Sequence, residues 1–264
     1  RNSGETVMFK GLITNVSMNG QFGQQNYYTI TGSSPTIRLD GNQTMDSFMD
    51  LDLDKIANEA VGKSGNGGEV TVKPVFKGKI DYISQYNETC FDFLNRLSWL
   101  YGEWFFYNGT ECFFGKPDLG DAAHLVYDVD MTHFDLNANL VPPKEKRFDY
   151  LNHIDDPAKL DAPDTVAGVR GYIKAALDES AKIYTSDANK PLNPLIQNMQ
   201  ELEKMVKVDK YRMISQMLVM KGSTHSCKVK IGELVSVNLP ASMKDVPLKH
   251  VETFLVTEVT HEID

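Results

Sequence analysis

The chain has 264 residues, of which 41% are hydrophobic and 24% charged, and its formal net charge is -9. These values are typical of a folded globular protein and argue against disordered, collagen-like and disulfide-scaffold classes. The negative charge disfavours nucleic acid as a partner, and no apolar run approaches the roughly 20 residues that a membrane anchor needs.

Two strands are predicted near the beginning of the chain. Val7–Ser17 and Tyr27–Thr31 are rich in β-branched and aromatic residues, which favour strands. The segment between them contains several glycines and asparagines and is too long for a two-residue turn. It therefore predicts an antiparallel hairpin with a long loop.

A short amphipathic helix is predicted from Asp50 to Gly62, where apolar residues recur at helical spacing. Asp50 or Asp52 is the expected N-cap, and Gly62 is the expected end of the helix. After a glycine-rich loop, the alternating residues of Glu69–Pro74 predict a strand.

A second helix is predicted from about Glu88 to Tyr101, because its apolar residues form one stripe. Asn87 is the predicted helix cap. Asp92 and Arg96 are four residues apart with the acid first, which predicts an ion pair on the helix surface.

A β-hairpin is predicted directly after this helix. The aromatic runs 104–107 and 111–114 flank Asn108-Gly109, a pair that tolerates the positive φ angles of a tight primed turn. Aromatic residues in a helix and hairpin usually form a core, so a core is favoured over a ligand-binding platform. This aromatic cluster comprises Trp99, Tyr101, Trp104, Phe105, Phe106, Tyr107, Phe113 and Phe114.

The second half of the chain is predicted to contain strands and one helix. Strands are expected within residues 122–149, and an irregular insertion is expected over 155–194. Apolar residues at helical spacing predict a helix from about Pro194 to Val208. Met213–Lys221 and Lys228–Leu239 are then predicted as strands, the second interrupted at Gly232-Glu233.

The last predicted strand is the most regular, because alternate residues from Val251 to Ile263 share one face. Such length suits a barrel or a large sheet better than a small sandwich. The sequence LITNVS at 12–17 is echoed by LVTEVT at 255–260, which is suggestive of two related β domains.

The sequence contains no recognisable motif for catalysis or cofactor binding. The run 62–64 (GKS) lacks the first glycine of a phosphate-binding loop, and the six histidines lack the spacing of a helical zinc site. No serine lies in a nucleophile elbow. We therefore predict no catalytic, metal-binding or cofactor-binding residues and a protein that is not an enzyme. The odd set of three cysteines suits a reducing compartment and predicts synthesis in the cytoplasm.

One segment carries a family resemblance. Residues 85–97 (QYNETCFDFLNRL), followed by 102–107 (GEWFFY), resemble the signature of VgrG-type spike hub proteins of type VI secretion systems and of related contractile phage tail hubs of the late control protein D type. The likeness elsewhere is looser, at 9–13 and 254–261. The expected core residues of the signature are Tyr86, Glu88, Phe91, Phe93, Leu94, Leu97 and Trp104.

The resemblance implies an α+β fold, mainly β, with two β-barrel-like tube domains and inserted helix and hairpin units. It places residues 1–44 in the first barrel, 45–121 in an inserted domain, 122–194 in strands and an irregular insertion, and 195–264 in the second barrel. Family members also extend beyond both ends of this chain. The expected tube strands contain Leu12, Ile13, Val16, Leu255, Val256 and Val259.

The resemblance also implies the partners. Such hubs are homotrimers that connect a hexameric tube protein of the Hcp type to a piercing spike, with baseplate proteins and effectors as further partners. Assembly would take place in the bacterial cytoplasm, and the apparatus would later expel the hub. Type VI secretion and phage tails both use such hubs, and a secretion spike is the favoured interpretation.

The competing hypothesis is a carbohydrate-binding or glycan-processing surface protein that uses the aromatic cluster. It predicts an exposed aromatic platform beside paired carboxylates. The hub hypothesis predicts that these rings are buried and that exposed apolar strands meet other subunits.

Overall fold

The computed structural model describes residues 9–20, 22–23, 26–65, 70–151, 155–192, 196–238 and 253–262. Strands predominate among these residues and are accompanied by four α-helices, which confirms the predicted mixed, mainly β class. The strands form six sheets of two or three strands each. None of these described sheets closes into a barrel, so the two tube domains stay a prediction.

The N-terminal hairpin is present as predicted. Strand β1 (Leu12–Asn19) pairs antiparallel with β2 (Tyr27–Ser33), with a bulge between Ile13 and Asn15. A short 3-10 helix at Pro35–Arg38 follows. No third strand of the described residues pairs with this ribbon.

The next part of the chain is a compact unit of two sheets and two helices. Its elements in order are β3 (Thr44–Asp52), α1 (Leu53–Lys63), β4 (Val70–Lys73), β5 (Lys79–Glu88), α2 (Cys90–Tyr101), β6 (Phe105–Tyr107) and β7 (Cys112–Gly115). Strands β3 and β5 pair antiparallel, while β7 lies between β4 and β6. The core contains fully buried residues from both helices and both sheets, including Phe48, Ile56, Phe93, Leu97 and Phe114.

The local details of this unit correct two predictions. Helix α1 begins after Asp52, one of the two predicted caps, but Gly62 lies inside the helix and Ser64 is the C-cap. The turn at Asn108 has four residues instead of two, because the Asn108 side chain accepts hydrogen bonds from the amides of Thr110 and Glu111. This four-residue loop, held by the Asn108 side chain, takes the place of the predicted tight primed turn.

The second half contains more regular structure than predicted. Its elements are β8 (Ala123–Val126), β9 (Met131–Ala138), β10 (Glu145–Leu151), β11 (Asp156–Asp161), α3 (Gly171–Ile183), β12 (Ala188–Pro191), α4 (Met199–Ser215), β13 (Leu218–Thr224), β14 (Leu234–Asn238) and β15 (Thr253–Leu255). The sheets have the orders β11-β10-β12, β13-β9 and β15-β14-β8.

Several of these elements overturn the predictions for this half. The region expected to be an irregular insertion contains β11, α3 and β12, and β12 pairs in parallel with β10. The predicted helix extends to Ser215, so the strand expected from Met213 begins only at Leu218. The long strand expected at 251–263 is reduced, among the described residues, to β15. β15 pairs with β14 over three residues, and no other described strand extends this pairing.

Helix α4 joins the two halves. Its Leu202, Met205 and Val206 pack against β10 and β11, and its other side meets the end of α2. There Arg212 donates a 2.6 Å hydrogen bond to the Trp99 carbonyl and lies 5.1 Å from the centre of the Trp99 ring. The helix therefore contacts both the central unit and the second half of the chain.

Two glycines provide a matched test of this packing. Gly102 ends α2 at φ 71°, and a Cβ added there would lie 2.2 Å from a methyl group of Val208 on α4. Gly62 lies in α1, where a Cβ would meet nothing within 4 Å.

We predict that Gly102→Ala lowers the free energy of unfolding by about 2–4 kcal/mol, from left-handed backbone strain and overpacking. Gly62→Ala is expected to raise it by about 0.5 kcal/mol through helix propensity. Urea unfolding followed by circular dichroism measures both, and equal effects of the two changes would contradict the proposed contact of Gly102 with α4.

Candidate functional site

The ionisable and nucleophilic side chains in the core are buried in surroundings that suit a structural role. Burial raises the pKa of the Cys90 thiol to about 11 and that of Cys112 to about 12, so both stay protonated and poorly nucleophilic. Buried Lys210 donates a 2.7 Å hydrogen bond to the Pro143 carbonyl, and burial lowers its pKa. No group of three metal-ligating side chains occurs in the described ranges. None of the helices described is long and apolar enough to cross a membrane.

The signature segment begins with a corner that joins β5 to α2. Asn87 has a positive φ of 51°, which asparagine tolerates better than most residues. The buried Gln85 side chain donates a 3.0 Å hydrogen bond to the Glu88 carbonyl across this corner. Thr89 is the N-cap of α2, since its hydroxyl accepts from the Asp92 amide. The predicted cap at Asn87 was therefore wrong by two residues, because Asn87 makes the turn instead.

Glu88 lies at the end of β5 and binds the helix that follows. Its carboxylate accepts hydrogen bonds from Arg96 Nε at 3.1 Å and from Nη2 at 2.5 Å. The same guanidinium donates to the Ser84 carbonyl at 2.6 Å and lies over the Phe93 ring. The pair predicted between Asp92 and Arg96 is replaced by this contact, because the strand brings Glu88 closer than helical spacing alone suggests.

The apolar residues of the signature are divided between core and surface. Phe93, Leu94 and Leu97 are fully buried, and Phe93 stacks on Phe48 with ring centres 5.5 Å apart. Phe91 is partly buried and packs on the core. Tyr86 and Trp104 were also expected in the core, but 75% and 41% of their surfaces are exposed. For Tyr86 the reason is the strand alternation, which directs it away from α2.

Tyr86 belongs to an exposed apolar surface on the outer face of β3 and β5. It pairs across the strands with Met45, while Tyr82 pairs with Met49. These four residues, called here the β3–β5 patch, are 52–75% exposed. The opposite face of the same two strands buries Phe48 against the helices. The described residues thus cover this sheet on one side only.

The ribbon of β1 and β2 has an apolar face that no described part of the chain covers. Val16 pairs with Ile30 and Met18 pairs with Tyr28, so the four side chains lie on one side. They are 60–69% exposed and are called here the apolar ribbon face. The other side carries polar pairs such as Ser17 with Thr29. The ribbon is therefore amphipathic, yet its apolar side faces outwards.

The ribbon also lacks charge. From Gly11 to Ile37 the sequence contains no Asp, Glu, Lys, Arg or His, although 24% of the whole chain is charged. Proteins usually protect exposed strand edges with charges or proline. The lack of charge and the alternation of apolar and polar residues are both visible in the sequence. Only the strand pairing shows which residues share a face.

The base of the ribbon is fixed to the hairpin of β6 and β7. The Lys10 amide donates a 2.8 Å hydrogen bond to the Gly109 carbonyl, and the Tyr107 hydroxyl donates to the Lys10 carbonyl. Phe9 packs edge-on against the Tyr107 ring. The ribbon thus projects from an anchored base.

The residues expected to form tube strands lie in two separate places. Leu12, Ile13 and Val16 are in β1, and Leu255 ends β15. Val256 and Val259 follow β15 outside any strand, although the Val256 backbone exchanges hydrogen bonds with Gly232 and Glu233. The described residues do not bring the two groups into one sheet.

Most rings of the aromatic cluster pack against one another. Phe105 contacts Phe91 and Phe114, and Phe106 stacks on Phe113. Trp99 is half exposed but carries the Arg212 guanidinium over its ring. This packing favours a structural role for the cluster over a flat sugar-binding platform.

Comparison with known proteins finds similarity to phage tail proteins. The family model of the phage tail baseplate hub (GPD) matches residues 1–113, which contain the ribbon, the β3–β5 patch and the signature. No curated protein sequence matches the chain.

Solved tail proteins have a similar fold. A tail protein from Neisseria meningitidis MC58 is 12% identical and has a TM-score of 0.63, over 96% of this chain and 74% of its own. The 43 kDa tail protein of prophage MuSo2 from Shewanella oneidensis is 14% identical, with a TM-score of 0.58 over 92% and 71%. Prophage tail protein gp18 from Listeria monocytogenes EGD-e is 12% identical, with a TM-score of 0.53 over 94% and 71%. At these identities the likeness shows a shared fold.

The contact of Glu88 with Arg96 can be tested by substitution. We predict that Glu88→Gln lowers the free energy of unfolding by about 1–2 kcal/mol, because two charge-assisted hydrogen bonds are weakened. Glu59→Gln is the control, since Glu59 pairs with Lys63 in an exposed position and should change stability by less than about 0.5 kcal/mol. Chemical unfolding of both variants measures these changes in stability. A loss for Glu88→Gln no larger than that of the control would refute a stabilising contact between Glu88 and Arg96.

Proposed function

We propose that the chain is a structural hub subunit of a contractile injection apparatus, most consistent with a phage tail baseplate. In this role it assembles as a homotrimer and connects the hexameric tube to the spike. The hub family match over residues 1–113 supports the role. The phage tail proteins that share the fold favour a tail over the secretion spike preferred on sequence alone.

The observation that carries this proposal is the open apolar face of the ribbon. A two-stranded ribbon is marginally stable in water without packing on one face. Full burial of each of its four apolar side chains would contribute about 1.5–3 kcal/mol. An assembly that covers this face therefore gains stability that the isolated chain lacks, which suits a protein that works by association.

The proposed partners follow from the same role. The hub would contact a hexameric tube protein of the Hcp type on one side and baseplate proteins on the other, with effectors as additional cargo in a secretion system. It would assemble in the bacterial cytoplasm and leave with the expelled apparatus. Its work is mechanical, through a closed symmetric interface, and the proposal assigns it no catalysed reaction and no cofactor.

The carbohydrate-binding alternative has less support. It requires an exposed aromatic platform, whereas Tyr101 and Phe114 are buried, Phe105 packs on Phe114, and Phe106 packs on Phe113. Only Trp99 and Trp104 of the described cluster are prominently exposed, and one of them is covered by Arg212.

Two neighbouring residues of β2 provide a direct test. Ile30 lies on the apolar ribbon face and Thr29 on the polar face, and both are exposed. In the full-length protein, Ile30→Asp is predicted to weaken self-association by at least about 100-fold, because an unpaired carboxylate is costly to bury. Thr29→Asp should retain association. Light scattering and native mass spectrometry measure the assembly, and pelleting with polymerised tube protein measures the partner.

The control also shows what would refute the proposal. If the unmodified full-length protein stays monomeric and does not bind a tube protein, the hub role is wrong. If Thr29→Asp and Ile30→Asp disrupt assembly equally, the apolar face is not the basis of association. Circular dichroism of both variants establishes that the fold is intact.

A further inference from the structure

We propose that the apolar ribbon face of one copy packs on the β3–β5 patch of the next copy. The contact joins two different surfaces of the same chain and is therefore heterologous. It rests on the proposed function only in requiring that the chain self-associates. It adds the identity of the two surfaces that meet.

The two surfaces match in size and construction. Each is one face of a two-stranded antiparallel sheet, with strands of 8 and 7 residues in the ribbon and of 9 and 10 residues in β3 and β5. Each presents two cross-strand pairs of large apolar residues. In the ribbon, Val16 pairs with Ile30 and Met18 with Tyr28. In the β3–β5 patch, Met45 pairs with Tyr86 and Met49 with Tyr82. Such faces pack about 10 Å apart in protein sandwiches.

The centre of the β3–β5 patch carries small side chains. Ser47 and Ser84 lie directly opposite each other, between the pair of Met45 with Tyr86 and the pair of Met49 with Tyr82. Because serine is much smaller than methionine and tyrosine, we infer a shallow depression between the two rows of large side chains. A methionine such as Met18 is flexible enough to fill an irregular gap of this kind.

The distribution of charged residues favours the ribbon as the partner of the β3–β5 patch. Asp50 and Asp81 adjoin the patch residues Met49 and Tyr82 in the sequence, and a partner with carboxylates near these positions would be repelled. The ribbon has no charged residue between Gly11 and Ile37, so it brings neither repulsion nor an unpaired buried charge. The depression itself offers a partner only apolar side chains and hydroxyls.

The area agrees with a contact that is made several times in one assembly. The eight side chains form a small contact, because only Tyr28, Tyr82 and Tyr86 are aromatic residues, which bury about 150–250 Å² each. Specific interfaces begin at roughly 1,200 Å², so one such contact is weak alone. In a closed ring each copy uses both surfaces, and the contacts reinforce one another.

The packing would complete a three-layer arrangement. Strands β3 and β5 already have α1 and α2 on their inner side through Phe48 and Ile83. The neighbour's ribbon would form the third layer on their outer side. Both exposed sheet faces of the N-terminal half would then be covered by one interaction.

Site-directed crosslinking tests the contact. Cys227, the partly exposed native cysteine, is first changed to Ser in the full-length protein, since Cys90 and Cys112 are buried. A tagged Met18→Cys protein is mixed with an untagged Met49→Cys protein and treated with a short bis-maleimide. The expected product is the heterodimer, at a yield at least about fivefold above that of Ser17→Cys with Met49→Cys, because Ser17 lies on the opposite face.

Each alternative result overturns the proposal in a recognisable way. Met18→Cys crosslinked to itself would show ribbon packed on ribbon, an isologous contact. Equal yields from Ser17→Cys would show nonspecific encounter. A trimer by light scattering with no heterodimer product would reject this contact but leave the hub role intact, whereas a monomer that ignores the tube protein would reject both.

Discussion

Narrow sheets are the constraint on which this structure depends. The described strands form sheets of only two or three strands, and such sheets are marginal without a covered face. Helices α1 and α2 cover β3 and β5, while α4 covers β10 and β11. None of the described helices covers the ribbon of β1 and β2. Its stability must therefore come from what it meets outside the described part of the chain, and this requirement connects the fold to assembly.

The parts that sequence predicted well are those set by local interactions. The helix and hairpin of the signature follow from an apolar stripe, a strand of aromatics and a turn at Asn108, all within about 30 residues of one another, and helix boundaries moved by only a turn or less. The cap was misplaced because Asn87 and Thr89 are both good cap residues. Only the corner made by Gln85 and the positive φ of Asn87 decides between them.

The parts that sequence missed depend on contacts between distant residues. The parallel pairing of β10 with β12 and of β8 with β14 joins segments about 40 and 110 residues apart, and such pairings leave no local pattern. Helix α3 was missed although Ile173, Ala176, Leu177 and Ser180 have helical spacing, because prolines and aspartates around it favoured an irregular reading. Among candidate site residues, Tyr86 was assigned to the core from its place in the signature, and the signature does not reveal which strand face meets a helix.

The signature therefore combines two physical roles. Phe93, Leu94 and Leu97 hold α2 on the inner face of β5, and Glu88 fixes the angle between strand and helix through Arg96. Once that angle is set, Tyr86 and Tyr82 must point to the outer face. A rigid inner face is thus what makes the outer face a defined docking surface. The uncharged ribbon completes the argument, since leaving its edges without charges risks aggregation in a free monomer. Such a risk is tolerable only for a chain whose ribbon is covered soon after synthesis by a specific partner.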